Sequence, residues 1–533
     1  MSQSNDPKVL ENGDNGDDSR MKQYKNLNKH EDLRRRRTEC SVEIRKKKGD
    51  EMLMKRRNIN VNENDDEEDA EETFDDFSDV EKPVVSKGTP RYTYEEVKSV
   101  LFNNPDLEQT IKCFESLRKI LSKTRTPPIE EFIQSGLMAA LVQALSIEND
   151  KIRYEACWAL TNIVSGTSEQ TIAAVNAGAT EPLIKLAVDP NEQVADQALW
   201  AIANIAGDSP QLRNYVIKVG GIEVIMHLVA HLDKLSLNHA RTLAWTISNI
   251  SRHKEAPLSV LRQISVALAQ LVKHEDKQVR QDSCWAVAYM TDGPDQQIEL
   301  CISSGTINTV VEFLRDADQL VAPALRTLGN VATGCDKLTQ EIIDRGVLPE
   351  IVSLLKRTSS TSIVKECCWL ISNVIAGTQG QIQAVIDSGL LGFVIGVLKK
   401  GDFKSQIEAS WALSNLTQGG TSKQIYAMVE EKGVEVLSIC LGQNATADMQ
   451  NNCLEALYSC LTTVSTHYPE KLDLVRDSIE ANGGLDALEK LQGAEVQEIY
   501  THAYKIISEF FSDDELDADH ATDENSAPPA YSF

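Results

Sequence analysis

Long apolar runs are missing from this sequence. No window approaches the roughly eighteen consecutive apolar residues that a membrane-spanning helix needs. The opening MSQSNDPKVL has neither the basic nor the apolar region of a secretory signal, so the expected compartment is the cytosol or nucleus. Histidines number only nine, and no Cys-x-x-Cys pair recurs at zinc-ligand spacing, so no metal site is expected. The eleven cysteines are scattered, and Cys157, Cys284, Cys367 and Cys368 fall inside helical patterns, which reads as buried, reduced thiols. The sequence also lacks a Gly-rich phosphate loop, His-Glu-x-x-His and Gly-x-Ser-x-Gly, so no cofactor or enzymatic reaction is expected. Alternating apolar runs bounded by Asn-Gly turns are absent, which argues against strands.

Positive charge is scarce over most of the chain and concentrated in one place. The net charge is −26, but residues 20–57 hold fifteen Lys/Arg against six Asp/Glu, an excess of nine positive charges. The remainder, with 39 basic and 74 acidic residues, carries −35. An acidic body repels phosphate, so nucleic acid is not expected as a direct partner. Basic peptides are, and the basic arm itself is a candidate visitor to the body's surface.

What is abundant is repetition. Between about residues 110 and 510 a glycine followed by an apolar helical stretch recurs at Gly136, Gly178, Gly221, Gly305, Gly346, Gly389, Gly433 and Gly484, while the copy expected near Pro257 has no glycine. About twenty residues after most of these comes a second marker: CWALTN, LWAIAN, AWTISN, CWAVAY, LRTLGN, CWLISN and WALSN. Its key positions, Trp158, Trp200, Trp245, Trp285, Arg326, Trp369 and Trp411, lie 40 to 45 residues apart. Weaker copies around Arg118 and Glu455 read as caps. Each unit is read as a short helix, a glycine bend, a second helix, a polar turn and a third helix carrying the tryptophan. Units of this length belong to the armadillo/HEAT class, which stacks into a superhelix with an extended concave surface.

Tryptophan and asparagine in the marker stand four residues apart, one turn apart on one helical face. Asparagine is mildly unfavourable inside a helix, so its repetition calls for a reason beyond helix formation. One amide offers both a donor and an acceptor, which suits the backbone of an extended peptide. Successive indoles leave slots in which a lysine or arginine stem can lie, with its charge reaching beyond. A core needs no asparagine there, and on that ground the pair is read as a recognition surface. Asp196, Asp208, Asp282, Asp292, Glu366 and Glu408 are candidate partners for the charged ends. The ladder is complete at 158/200/245 and at 369/411. Tyr289 replaces the asparagine, and Arg326 the tryptophan, in between. Two slots divided by an altered middle predict a ligand with two basic clusters, and Arg326 disfavours a basic residue in the middle.

The basic arm carries Arg34, Arg35, Arg36 and Arg37, then Arg45, Lys46, Lys47 and Lys48, then Lys55, Arg56 and Arg57. These clusters resemble the ligand expected in the groove, and an acidic run at 63–81 stands where a tether would. A tethered segment enjoys an effective concentration of about millimolar. Autoinhibition by residues 55–57 is therefore expected.

With the WALTN, WAIAN, WTISN, CWLISN and WALSN series, and the Tyr and Arg substitutions in their units, the chain resembles the importin-α (karyopherin-α) family over nearly its whole length. The resemblance implies an all-α, right-handed superhelical armadillo solenoid of about ten repeats of ~42 residues. It implies a disordered N-terminus (1–19), a basic importin-β-binding and autoinhibitory segment (20–60), an acidic linker (61–90), the repeat array (91–512) and an acidic, disordered tail (513–533). The implied major site for nuclear localisation signals comprises Trp158, Asn162, Ser165, Gly166, Thr167, Thr171, Gln197, Trp200, Asn204, Asp208, Trp245 and Asn249, with Arg252 at a further groove position. The implied minor site comprises Arg326, Asn330, Thr339, Glu366, Trp369, Asn373, Glu408, Trp411 and Asn415. Asp513, Asp514 and Glu515 are implied for a recycling exportin acting with RanGTP. Nucleoporins are further implied partners, membranes are not, and the protein is expected to shuttle between cytoplasm and nucleus, with transient presence at the nuclear envelope. Gly49 interrupts the arm's helical pattern between its second and third clusters.

Two other readings compete. An adhesion or signalling scaffold would present a basic groove, whereas this body is acidic. A nucleic-acid binder would rely on residues 20–58 alone.

Overall fold

In the computed structural model, residues 55–57, 92–122, 126–316, 318–442 and 445–512 are described. Every regular element among them is a helix, with no strand. The unit around Trp200 shows why. Thr167 caps the helix Ser168–Asn176 and Gln170 bonds back to the Thr167 amide, closing a reciprocal capping box. The chain then bends at Gly178, whose φ is 86°, and enters the helix Thr180–Leu186. Asn191 accepts from the amides of Gln193 and Val194 and so starts the long motif helix Glu192–Asp208. The motif helices at Asp150–Val164, Leu237–Arg252, Lys277–Thr291 and Phe403–Gly419 begin on Asn149, Ser236, Asp276 and Asp402 in the same way.

The glycine markers need one refinement. At the doublets 220–221 and 483–484 the left-handed residue is the first glycine, and at 432–433 it is Lys432, with φ 63°. Gly433 itself is required for closeness: a Cβ there would lie 2.8 Å from the Met428 carbonyl oxygen. Near Pro257, where the glycine is missing, the bend is missing too. A single helix, Leu258–Leu271, replaces the two shorter ones.

The described residues fall into two compact units, one reaching from 55 to 331 and the other from 332 to 512. Within the first, each motif helix packs between its neighbours: Leu237–Arg252 lies against both Glu192–Asp208 and Lys277–Thr291. Leu160, Ile163, Leu199, Leu243, Ile247 and Val287 are fully buried along this seam, each stabilising by roughly 1.5–3 kcal/mol relative to exposure. Within the second, Thr361–Ile375, Phe403–Gly419, Ala447–His467 and Gln497–Phe510 repeat the arrangement. Capping glutamines there do a second task. Gln381 and Gln424 close capping boxes with their side-chain oxygens and reach to the carbonyls of Asp336 and Gln379 in the preceding repeat, each at 2.8 Å.

Ten described cysteines are free thiols, and all but Cys335 are buried. Burial pushes the Cys301 thiol up to about 12. No group of His, Cys, Asp and Glu able to hold a metal is present among the described residues. No single described helix is long and apolar enough to cross a membrane.

Candidate peptide-binding groove

Lys55, Arg56 and Arg57 lie against the motif helices of the 55–331 unit. The Lys55 ammonium donates to the Gly166 carbonyl at 2.8 Å and to Thr171 Oγ1 at 2.9 Å, and pairs with Asp208 at 2.5 Å. Three oxygens thus meet the three protons of one ammonium. The pocket is preformed by local bonds. Thr171 Oγ1 is tied to the Val164 and Thr167 carbonyls, and Ser168 donates to Asp208 Oδ1 at 3.0 Å.

Arg56 is held by its main chain and its head. Its amide donates to Asn204 Oδ1 at 2.9 Å, while its carbonyl accepts from Asn204 Nδ2 at 3.0 Å and Trp200 Nε1 at 2.8 Å. The guanidinium stacks 4.7 Å from the centre of the Trp245 ring and pairs with Asp282 at 3.1 Å. Burial pushes the Asp282 carboxyl up, and Arg56 and the Gln278 amide oppose that shift. One asparagine and two tryptophans therefore engage one residue through its backbone and its cationic side chain.

The remaining major-site residues cluster around this core in other roles. Ser165 donates to the Asn162 carbonyl, Thr167 caps a helix, and the buried Gln197 donates to Thr161 Oγ1 at 2.9 Å. Trp158 is stacked by Arg118, 4.5 Å from the ring centre, with Tyr154 edge-on. Arg252 is partly buried at the end of its helix. Asp196 is half-buried, and desolvation raises its carboxyl to about 6 despite the Thr242 hydroxyl.

Of the minor-site set, Arg326 and Asn330 belong to the first unit. Arg326 is half-buried and Asn330 is buried. In the second unit Trp369, Asn373, Glu366, Glu408 and Asn415 are buried, Trp411 is half-buried, and Thr339 Oγ1 faces the Ala332 carbonyl at 3.4 Å. The four-arginine and RKKK clusters at 34–37 and 45–48, and Asp513, Asp514 and Glu515, lie outside the described residues.

The ladder asparagines have a second partner inside the array. Asn204 donates to the Thr161 carbonyl, Asn249 to Ala203, Asn330 to Ala288 and Asn415 to Ser372, at 2.9 to 3.2 Å. In each case the acceptor stands one residue before the equivalent ladder position of the preceding repeat. A core does have a use for asparagine there, as a clasp between repeats, and Asn204 clasps and grips at once.

Glu155 and the role of Arg118 were missed, although two regularities mark them. Glu155, Asp282, Glu366 and Glu408 each stand three residues before a marker tryptophan, and Arg118 stands 40 residues before Trp158, in the tryptophan's own place. Arg118 is buried, and its Nε pairs with buried Glu155 at 2.8 Å.

Residues 20–113 match a family model described as the importin beta binding domain. Residues 125–165, 167–207, 335–376 and 378–418 match the armadillo/beta-catenin-like repeat, and 474–529 an atypical armadillo repeat. Importin subunit alpha-2 of Caenorhabditis elegans is 57% identical over 524 residues, 97% of each chain. The chain belongs to the importin alpha family. Importin subunit alpha-3 of Arabidopsis thaliana is 36% identical over 519 residues, 96% of this chain and 94% of that one. The crystal structure of an engineered protein overlays with a TM-score of 0.69 at 26% identity, covering 79% of this chain and 99% of that one. As a member of the importin alpha family with armadillo repeats and an importin beta binding domain, the protein is a nuclear import adaptor and not an enzyme. The importin beta binding match runs past residue 60 into the first two described helices, Tyr94–Phe102 and Leu107–Leu121.

Proposed function

We propose that the Trp/Asn ladder binds mono- and bipartite nuclear localisation signals, and that residues 55–57 occupy it until importin-β draws the arm away. The observation that carries this reading is the seat of Lys55 and Arg56. A lysine ammonium meets three oxygens, and the next residue is held through its backbone by Asn204 and Trp200. Backbone bonding tolerates many sequences, while the ammonium seat and the Trp245–Asp282 pair demand basic side chains. The second cluster of a bipartite signal is assigned to Trp369, Asn373, Trp411 and Asn415 with Glu366 and Glu408. In this reading RanGTP takes importin-β in the nucleus, the freed arm competes with cargo, and an exportin returns the adaptor through contacts that include Asp513, Asp514 and Glu515. Passage through the nuclear envelope, with nucleoporins as transient contacts, follows from that cycle.

Titrating a fluorescent PKKKRKV-type peptide into the full chain, with and without importin-β, tests the reading. A full-length variant carrying K55A, R56A and R57A completes the set. Tight binding by the variant, weaker binding by the native chain and recovery on adding importin-β are expected. Equal binding in all three keeps the groove and removes autoinhibition. Absence of binding in all three removes both.

A further inference from the structure

Arg118 and Glu155 resemble, inside the repeat array, the way the groove holds Arg56, except that the carboxylate comes from the stacked tryptophan's own helix rather than from the following one. In the Arg56 seat a guanidinium stacks on Trp245 at 4.7 Å, and its head pairs with Asp282, three residues before Trp285. At the N-terminal end of the ladder the Arg118 guanidinium stacks on Trp158 at 4.5 Å, and its head pairs with Glu155, three residues before Trp158. Arg118 is 6% exposed and Glu155 5%, so the pair is desolvated and fixed rather than a surface ion pair. By repeat spacing Arg118 occupies the tryptophan place of its own helix, Leu107–Leu121, and Ser122 the asparagine place. The clasp itself differs, because Asn162 Nδ2 donates at 3.0 Å to Ser122 Oγ, in the ladder place, rather than to the carbonyl one residue before it.

We propose that Arg118 is a built-in occupant of the slot on the outer side of Trp158, and that it sets where a bound basic peptide must end. This rests on the reading of the groove as a peptide site. Side chains of an extended peptide point to one face at every second residue. A ligand with one residue over Trp245 presents the next such residue between Trp200 and Trp158, and the one after that at the far side of Trp158. There the indole face and the carboxylate are already taken by the protein's own cation. A further lysine at that position finds only solvent and gains nothing. Arg118 is thus a specificity-determining residue. It acts by filling a slot, not by touching the ligand's core.

The test uses the full chain and a family of peptides sharing one basic core. Each is extended at one end or the other by Ala-Ala or by Ala-Lys, so that the last residue falls at alternate-residue spacing. The arm competes equally with every peptide, so the affinity ratio of lysine-extended to alanine-extended forms is independent of it. For the native chain that ratio is expected within about twofold of one at both ends. In R118A the slot opens while Glu155 remains, and the added ammonium replaces the guanidinium. The lysine-extended peptide then gains about tenfold at one end only. In R118A/E155A the slot is open but uncharged, and the gain falls to about threefold. R118A leaves a buried carboxylate unpaired, so circular dichroism and thermal melting accompany each titration. If R118A does not fold, the double variant decides. A ratio that stays near one in the folded variants overturns the proposal, as does a tenfold lysine preference already present in the native chain. Failure of the alanine-extended core to bind any form is a different result. It removes the groove reading itself.

Discussion

The stretches Gly166–Thr171 and Gly334–Thr339, one in each compact unit, are built alike and end differently. Thr171 Oγ1 bonds the Val164 carbonyl at 3.2 Å, and Thr339 Oγ1 bonds the Ala332 carbonyl at 3.4 Å, each seven residues back. Both threonines also reach the carbonyl four residues before them. The difference lies four residues beyond the next ladder asparagine. After Asn204 comes Asp208, and after Asn373 comes Gly377. The threonine is therefore shared scaffolding, and the carboxylate is what turns the first loop into a seat for an ammonium. Without it a cation meets only neutral oxygens, whose bonds are roughly half as strong.

The most direct way to break this contrast is D208A. The Asp208 carboxyl is nearly buried where it meets Lys55. Its loss is expected to weaken a single-cluster peptide about 100-fold by fluorescence anisotropy. The binding of a bipartite peptide's second cluster should be unchanged. A loss below about fivefold would make the threonine and the Gly166 carbonyl sufficient on their own.

Asp196 gives a pH-dependent contrast between the two ladder stretches. It stands four residues before Trp200, whereas Lys365 and Ile407 hold the matching places before Trp369 and Trp411. Burial raises its carboxyl from the usual aspartate range to about 6. A raised acid costs nothing below its unfolded pKa. The cost grows as pH climbs from about 4 to 6 and is complete above that. It then amounts to roughly 3 kcal/mol of lost stability. D196N should therefore raise the apparent Tm at pH 7 and have little effect at pH 4. Equal melting shifts at both values would count against it.

The clasp distinguishes the asparagines in turn. N204A removes two bonds to the Arg56 backbone and one to Thr161, so a drop in peptide affinity of about tenfold is expected together with about 1 kcal/mol of stability. N415A removes the bond to Ser372, and the same melting shift is expected from it. If either variant melts like the native chain, the clasp is incidental. The smallest expected effect belongs to E366Q and E408Q. Each should weaken a bipartite peptide about threefold, without touching a single-cluster one.

The repeat period and the helix order could be read from tryptophan spacing alone, because a motif needed once per repeat leaves a regular mark. The bends were less legible. A glycine may be kept for its φ, as at Gly178, or for closeness, as at Gly433, and sequence does not separate the two. The fused helix after Pro257 follows from the missing glycine, yet only packing decides between a displaced bend and none. Most of the Lys55 seat was legible through the family resemblance, which named Gly166 in a turn, Thr171 in the helix that follows and Asp208 at the end of its motif helix. The clasp was not, because Asn204 meets a carbonyl 43 residues away. Arg118 stood in view at the repeat spacing, but its weaker copy of the motif read as a cap.

Lys55 and Arg56 come from the same chain as the groove they fill. Under the proposed autoinhibition every newly made groove is thus supplied with one stopper, at a ratio of one to one whatever the expression level. Dilution, which empties a complex of separate molecules, leaves such a pair intact. Doubling the amount of protein doubles stoppers and grooves together and leaves the occupied fraction unchanged. Only the abundance of competitors, on the groove or on the arm, moves that fraction.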